Sequence, residues 1–221
     1  MADELQDVKK ENEHLKERIK WFEEQLGQME ELVKQYNELV RHEFDSLENV
    51  VNKMGTSEII DPVTRVYSRE HVLAYLNFIY PKIVESNLKC SLIFFDVDNF
   101  REKTKTLGKN DVDTLIREIG KFLKETVRVP LDIVARFGFD EFLILITETQ
   151  KKDTISIAQR IKNSFSAKSF KVADVSIQLT ATLSVVTFPD DSKELSKLLE
   201  IGEDLVEAGK KKGKNMVIFA E

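Results

Sequence analysis

The stretch LDIVARFGFDEFLILIT, residues 131–147, decides the fold of this chain. Two apolar runs, 131–137 and 142–147, flank a short segment with a glycine and two acids, a pattern that predicts two strands around a tight turn. A third apolar run, CSLIFF, begins at Cys90 and leads into Asp96. Its length and composition predict a buried strand. Together these runs predict a sheet with acidic residues where strands end.

Segments with helical spacing of apolar residues separate the strands. We expect helices over residues 69–86, 110–127, 152–166 and 192–212, strand material over 169–187 and a last strand over 216–219. The order is βαββαβ with additions. It predicts an α+β fold, with a central, mainly antiparallel sheet and helices packed on one face.

The first 54 residues differ from the rest in charge and in periodicity. They hold 8 Lys and Arg against 14 Asp and Glu, which accounts for the whole net charge of −6. Apolar residues recur at heptad spacing, and only Asn12 and Glu43 interrupt this seam. The seam residues are Leu5, Val8, Leu15, Ile19, Phe22, Leu26, Met29, Val33, Tyr36, Val40, Leu47, Val50 and Met54. A strict heptad period predicts a parallel coiled-coil homodimer through residues 5–54.

These differences divide the chain into a coiled-coil helix (1–54), a linker (55–60) and a globular domain (61–221). Beyond residue 30, further apolar residues flank the seam: Leu32, Leu39, Phe44 and Val51. This wider apolar stripe indicates packing against a protein partner or against the following domain, and it is also compatible with more than two strands in the coiled coil.

Composition excludes several classes of protein. No apolar run approaches the ~20 residues that span a bilayer, and the first residues lack the apolar core of a secretory signal. A single Cys90 rules out an internal disulfide. We therefore expect a cytoplasmic protein without a membrane span. Because the charges of residues 55–221 cancel, 25 Lys and Arg against 25 Asp and Glu, binding to nucleic acid is not expected.

Five short motifs stand in order along the globular domain. They are DPVTRVYSR (61–69), FDVDNFR (95–101), RFGFDEF (136–142), TLSVVT (182–187) and KKKGKN (210–215). In this order and spacing they resemble the motifs of GGDEF domains, the bacterial diguanylate cyclase family. The resemblance implies the fold of that family over nearly all of residues 61–221, although a fold alone does not establish an activity.

Two carboxylates are candidates for a metal site. Asp96 ends a strand and Asp140 lies on the hairpin turn, so neighbouring strands can bring them together, and oxygen ligands without His or Cys suit Mg²⁺. The resemblance implies that both residues, with the backbone of Val97, hold Mg²⁺ or Mn²⁺ when nucleotide is bound. It also implies that Glu141 lies beside the reacting hydroxyl in an active enzyme. Asp98 is tenable as a turn residue that follows the strand.

The resemblance further implies a phosphate site. Its residues are Asn99, Phe100, Arg101, Lys210 and Lys214. An alternative needs no ligand, because lysines in the last turn of a helix complement the helix dipole and Gly213 is an ordinary helix stop.

The base-recognition residues depart from the family pattern. Thr104 stands where the family has an Asn that binds guanine, whereas Asp113 matches its second guanine partner. Loss of one partner in a buried site weakens base discrimination by about 1–3 kcal/mol. Phe139 follows Gly138 where the family has a second glycine. Glycine there permits a tight turn, including one with positive φ, and close approach of the nucleotide.

Two hypotheses for function remain open. The one that we favour is a degenerate GGDEF domain, dimerised by its coiled coil, with little or no cyclic di-GMP synthesis and a signalling response to a nucleotide or a protein partner. The other is an active diguanylate cyclase that condenses two GTP to cyclic di-GMP with Mg²⁺, slowly or with altered base preference.

Overall fold

The computed structural model describes most residues between 15 and 34. It also describes residues 59–220, with the exception of residues 87, 129, 130 and 174. The chain divides into two units, Met1–Lys53 and Met54–Glu221. The described residues between 15 and 34 are helical and exposed. The predictions that concern other residues of the seam, and the flanking positions Leu32, Leu39, Phe44 and Val51, lie outside the described residues.

The larger unit alternates helices and strands. The helices are α1 (Arg69–Glu85), α2 (Phe100–Lys103), α3 (Lys109–Thr126), α4 (Lys151–Ala167) and α5 (Leu195–Lys212). The strands are β1 (Cys90–Val97), β2 (Ile133–Arg136), β3 (Glu141–Thr147), β4 (Ser169–Val172), β5 (Val175–Gln178), β6 (Ala181–Phe188) and β7 (Val217–Phe219). The order confirms the predicted α+β fold. The short helix α2 was not predicted.

Five strands form the central sheet in the order β2-β3-β1-β6-β7, and β4 and β5 form a separate two-stranded sheet. Neighbours in the central sheet are antiparallel except β6 and β7, which are parallel. The middle strand β1 pairs on one side with β3, where Asp96 stands opposite Glu141. On its other side Asp96 stands opposite Thr182 of β6. This register places Asp96 near the end of the central strand.

Helices cover both faces of the sheet, so the prediction of helices on one face is wrong. Ile93 and Phe95 pack in a core with side chains of α3 and α4. Leu92 and Phe94 pack in a second core with side chains of α1 and α5. Every residue of β1 is buried. A strand that is apolar on both faces needs a cover on each side, which is why its sequence reads as a continuous apolar run.

Gly202 sets how closely α5 approaches the sheet. A Cβ atom at this position would lie 2.1 Å from Cε2 of Phe94. The Gly202 carbonyl accepts a hydrogen bond from Oγ of Ser184 in β6 at 2.6 Å. Close packing at this point holds the later turns of α5, which carry Lys210, against the sheet.

We expect Gly202→Ala to lower the free energy of unfolding by about 1–3 kcal/mol, because the added methyl group overpacks the contact with Phe94. This loss exceeds the gain of up to about 1 kcal/mol in helix propensity. Urea unfolding of both proteins measures it. Gly108→Ala is the control, since a Cβ there would have only ordinary contact, 3.6 Å from Oδ2 of Asp111. Equal stability of the two variants would contradict this packing.

Candidate functional site

Three elements meet beside the end of β1: the strand itself, the turn between β2 and β3, and the last turns of α5. The amide of Val97 donates to the carbonyl oxygen of Asp140 at 3.1 Å. Nζ of Lys210 lies 2.5 Å from Oδ2 of Asp96. The structure thus brings together Asp96, Val97, Asp140, Glu141 and Lys210, which the sequence assigned to one site.

The turn between β2 and β3 is shaped around Glu141. The amides of Phe137 and Gly138 both donate to the Glu141 carbonyl, at 2.8 and 3.1 Å. A Cβ atom at position 138 would lie 2.4 Å from Oε2 of Glu141. A larger residue at position 138 would therefore displace the Glu141 carboxylate from its present position.

Asp96 is a buried carboxylate with an incomplete set of partners. Asp96 is 4% exposed. Lys210 contacts Oδ2, whereas Oδ1 is buried and has no hydrogen-bond partner. Burial raises the pKa of Asp96 to about 6 against the lowering effect of Lys210, and the charges of Asp140 and Glu141 raise it further. The hydrogen bonds and positive charges around Asp96 thus do not fully offset the cost of burying its ionised carboxylate.

Asp140 has a similar environment. Burial raises the pKa of Asp140, although the positive charges of Lys210, Arg101 and Arg136 oppose the increase. Within the described residues, no group of three or more His, Cys, Asp or Glu side chains is placed to hold a metal ion. Two carboxylates, one with an unpartnered oxygen, fit a hard cation such as Mg²⁺ that completes its coordination with water or phosphate oxygens.

The raised pKa of Asp96 predicts a pH-dependent stability of the metal-free protein. Its pKa of about 6 in the folded chain exceeds the value of about 3.9 in an unfolded chain. The folded state therefore binds more protons between these values, so the contribution of Asp96 to stability is present at pH 4 and is lost as the pH rises through 6.

The loss is on the order of 1–3 kcal/mol. Urea unfolding between pH 4 and 7.5 measures it as the difference between the unmodified protein and Asp96→Asn, since other carboxylates titrate in both. Parallel pH profiles of the two proteins would show that Asp96 does not titrate in this way.

The predicted phosphate residues lie in two segments with left-handed backbone. Asn99 has φ of 55° and Lys214 has φ of 63°. Nζ of Lys214 contacts Oδ1 of Asn99, so the turn after α5 lies against the loop after β1. Phe100 is buried at the start of α2, and Arg101 is exposed. Gly213 does end α5, with φ of 131°. Lys210 and Lys214 nevertheless both reach the site.

Asp98 is a structural residue. It is buried, and its carboxylate accepts hydrogen bonds from Oγ1 of Thr180 at 2.8 Å and Oγ1 of Thr182 at 2.7 Å. It also accepts one from the amide of Asn215 at 2.9 Å. These contacts fix the turn that carries Lys214, consistent with the interpretation of Asp98 as a residue that stabilises the strand end.

Thr104 and Asp113, the two predicted base-recognition residues, lie in different elements. Thr104 is buried just after α2, and its hydroxyl donates to the Phe100 carbonyl at 2.8 Å within the local helical turn. Asp113 lies in α3 and is half-buried.

Phe139 lies over the loop after β1. Its ring is 5.8 Å from the ring of Phe100, and the guanidinium of Arg101 is 5.7 Å from the centre of the Phe139 ring. The residue is 49% exposed. Phe139 is not among the described residues with positive φ. Its backbone is therefore not strained by the replacement of glycine, and what the replacement adds is bulk beside Arg101.

An ion pair that supports the turn between β2 and β3 was not predicted from the sequence. Nη1 of Arg136 lies 3.3 Å from Oδ1 of Asp61. The same guanidinium donates to the carbonyls of Gly138 at 3.1 Å and Phe139 at 2.9 Å. Burial acts to raise the pKa of Asp61, but hydrogen bonds from Thr64 and the charge of Arg136 lower it overall. Both ends of this pair lay in quoted motifs, but no sequence pattern connects positions so far apart.

Comparison with known proteins identifies relatives of the chain. The family description "Diguanylate cyclase, GGDEF domain" matches residues 58–216. Diguanylate cyclase DosC of Escherichia coli (strain K12) is 30% identical over 128 residues, which are 58% of this chain and 27% of DosC. The response regulator PleD of Caulobacter vibrioides is 27% identical over 176 residues, 79% of this chain and 38% of PleD. In both cases the match spans less than half of the relative.

Solved structures share the fold. The coiled coil and GGDEF domain of DgcB from Caulobacter crescentus, in complex with c-di-GMP, aligns with a TM-score of 0.70 at 18% identity, covering 85% of this chain and 99% of that one. Diguanylate cyclase SiaD of Pseudomonas aeruginosa, in complex with its activator SiaC, aligns with a TM-score of 0.70 at 23% identity, covering 99% and 81%. In the part of the chain that the structure describes, no helix is both long and apolar enough to cross a membrane.

Proposed function

This chain belongs to the diguanylate cyclase GGDEF domain family, and from that premise we propose that its globular domain binds a nucleoside triphosphate with Mg²⁺ but makes little or no cyclic di-GMP. One observation carries the proposal: the Thr104 hydroxyl proton is donated to the Phe100 carbonyl, while Asp96, Glu141 and Lys210 lie together at the end of β1. The domain is then a signalling module that responds to nucleotide rather than an efficient enzyme.

Each side of the site has a proposed role. Asp96, Asp140 and the backbone of Val97 would hold the metal, which supplies positive charge to the phosphates when bound. The residues proposed to position the phosphates are Asn99, Phe100, Arg101, Lys210 and Lys214. Asp113 and Gly138, with Thr104 and Phe139, occupy the family's remaining nucleotide-binding positions. Glu141 would lie beside the attacking hydroxyl if the reaction occurs.

In this proposal, turnover is low because the two nucleotides are poorly aligned, and not because the metal site is lost. Synthesis of a cyclic dinucleotide needs two nucleotides with reacting atoms ~3–3.5 Å apart. Phe139 adds bulk beside Arg101, at 5.7 Å from its guanidinium, and the buried Thr104 has no hydroxyl proton left to donate to a base. A bound nucleotide would therefore be held by its phosphates but oriented poorly.

An active cyclase is the second candidate function. It is favoured by the geometry of the metal side of the site, where Lys210 lies 2.5 Å from Asp96 and Val97 is hydrogen-bonded to Asp140 at 3.1 Å. A slow enzyme, or one with a different base preference, would use these groups without a complete guanine site.

Calorimetry with non-hydrolysable analogues of GTP and ATP, each with Mg²⁺, tests the proposal. We expect both to bind, with less than about tenfold preference for guanine, because one guanine partner is missing. No binding of either analogue would contradict a nucleotide-responsive module. A strong preference for the GTP analogue would instead favour the active cyclase.

We further propose that residues 1–54 form a parallel coiled coil that dimerises the chain, joined through residues 55–60 to the domain 61–221. Six seam residues fall within the described part of the first unit: Leu15, Ile19, Phe22, Leu26, Met29 and Val33. All six are helical and between 47% and 60% exposed. An apolar stripe of this kind is stabilised by a second copy of the same helix.

We expect the full chain to sediment as a dimer, and we expect deletion of residues 1–54 to leave a folded monomer, since both cores lie within the second unit. Sedimentation equilibrium and circular dichroism measure both. Crosslinking through Val8→Cys distinguishes parallel from antiparallel chains, because only a parallel pair brings the two cysteines together. A monomeric full chain would contradict the proposal.

The apolar positions Leu32, Leu39, Phe44 and Val51 are proposed as a surface for a protein partner. The similar protein SiaD has an activator, SiaC, with which it was crystallised. That relative supports the idea that a chain of this fold responds to another protein, although the chemistry proposed for this surface rests on the four apolar side chains.

A further inference from the structure

The ammonium group of Lys210 forms an ion pair with the buried carboxylate of Asp96. The side chain extends from the last turn of α5, and its Nζ lies 2.5 Å from Oδ2 of Asp96. The Lys210 side chain is 35% exposed, whereas that of Asp96 is 6% exposed. The ammonium therefore lies between the buried carboxylate and solvent.

The surroundings of Lys210 are acidic. A cavity of about 300 Å³ adjoins the pair, and carboxylates of Asp96, Glu141, Glu203 and Glu207 line it together with Lys210. Lys210 is the one basic residue in that lining among the described residues. The ammonium of Lys210 thus shares this cavity with four carboxylates, of which Glu207 also pairs with Lys211, and Oδ1 of Asp96 still has no partner. The site as a whole favours an additional positive charge.

A divalent metal and Lys210 compete for the same carboxylate. A metal bound at Asp96 without nucleotide would lie close to the Lys210 ammonium in a partly buried site, where like charges repel strongly. A triphosphate changes this balance, because its oxygens bind the metal and also offer the ammonium a new anionic partner.

We propose that Lys210 takes the place of the metal at Asp96 in the ligand-free protein and thereby makes metal binding depend on a triphosphate. The inference rests on the proposed function only in placing the metal at Asp96. Lys210 is then a positioning residue with two alternative partners, the carboxylate in the empty site and a phosphate in the loaded one.

Titration with Mn²⁺ alone tests the proposal, with affinity measured by the electron paramagnetic resonance signal of free Mn²⁺. We expect weak binding to the unmodified protein and binding about tenfold to a hundredfold tighter in Lys210→Met, the size of effect that one neighbouring charge has on a carboxylate. Lys211→Met is the matched control. It removes the same charge from the same helix, but Lys211 pairs with Glu207 at 3.3 Å rather than with Asp96.

A second variant shows whether the gain arises at Asp96. Adding Asp96→Asn to Lys210→Met should abolish the tighter binding, because the carboxylate that Lys210 releases is no longer present. Circular dichroism shows that each variant is folded, and Lys210→Gln replaces Lys210→Met if the latter unfolds. Mn²⁺ affinity in the Lys210 variant no higher than in Lys211→Met, or retained in the double variant, would overturn the proposal.

Mn²⁺ titration in the presence of nucleotide distinguishes failure of this inference from failure of the proposed function. A non-hydrolysable triphosphate should tighten Mn²⁺ binding more in the unmodified protein than in Lys210→Met, because only the unmodified protein must first release Asp96. Absence of any nucleotide effect in either protein would contradict the proposed function, and tight binding of Mn²⁺ alone to the unmodified protein would contradict the role of Lys210.

Discussion

The double substitution Phe139→Gly with Thr104→Asn should raise cyclic di-GMP synthesis more than about tenfold above either single variant, because the two positions act on one bound nucleotide and couple. Removing the Phe139 ring clears the space beside Arg101, from which it is now 5.7 Å distant. An Asn at position 104 carries an amide that can reach a base, whereas the Thr hydroxyl is engaged with the Phe100 carbonyl. Initial rates with GTP and Mg²⁺, with products separated by chromatography, give the comparison.

Thr106→Asn is the matched control for this experiment, because Thr106 is an exposed threonine two residues away in the same segment. It should leave the rate unchanged when combined with Phe139→Gly. If the double variant is no faster than Phe139→Gly alone, base recognition at position 104 does not limit the reaction.

Asp96→Asn should weaken binding of Mg²⁺ with a triphosphate at least about a hundredfold, since it removes one of two carboxylates from a metal site that is partly buried. The substitution keeps the shape of the side chain, which is 4% exposed, and removes the charge. Calorimetry with a non-hydrolysable triphosphate and Mg²⁺ measures the loss.

Asp190→Asn serves as the control, because this carboxylate pairs with Lys89 at 3.4 Å on the surface. Lys89 precedes the first residue of β1, whereas Asp96 lies at the other end of that strand. It should leave the affinity within about twofold of the unmodified protein. Undiminished binding by Asp96→Asn would assign Asp96 a purely structural role.

The sheet could largely be predicted because its strands are marked by long apolar runs. The apolar run from Cys90 and the two runs around residues 138–141 predicted β1, β2 and β3 of the central sheet. The burial of β1 on both faces also had a sequence signal, since a run without polar alternation indicates a strand covered on each side. The prediction of helices on one face was wrong because it was based on the order of the helices and strands and not on this pattern.

The candidate site could be predicted only where local sequence determines position. Asp96 at a strand end and Asp140 on a turn are local features, and antiparallel pairing of β1 with β3 joins them. The contact of Lys210 with Asp96 spans 114 positions and depends on the packing of Gly202 against Phe94. The resemblance to the family's last motif indicated that Lys210 belongs to the site, but no local pattern indicates that its ammonium pairs with Asp96.

Two details of the base-recognition side depend on backbone conformation. Thr104 is sequestered because the unpredicted short helix α2 puts its hydroxyl within 2.8 Å of the Phe100 carbonyl. Phe139 avoids the positive φ that glycine would have allowed, so the sequence correctly indicated added bulk at the turn but could not determine its backbone.

Product formation by the unmodified full chain decides between the two candidate functions. The chain is incubated with GTP and Mg²⁺ and the products are resolved by chromatography, in the same preparation whose binding of a non-hydrolysable GTP analogue is measured by calorimetry. We expect the protein to bind the analogue and to yield no detectable cyclic di-GMP, or only a trace over hours. Sustained multiple-turnover synthesis of cyclic di-GMP would contradict the proposed function.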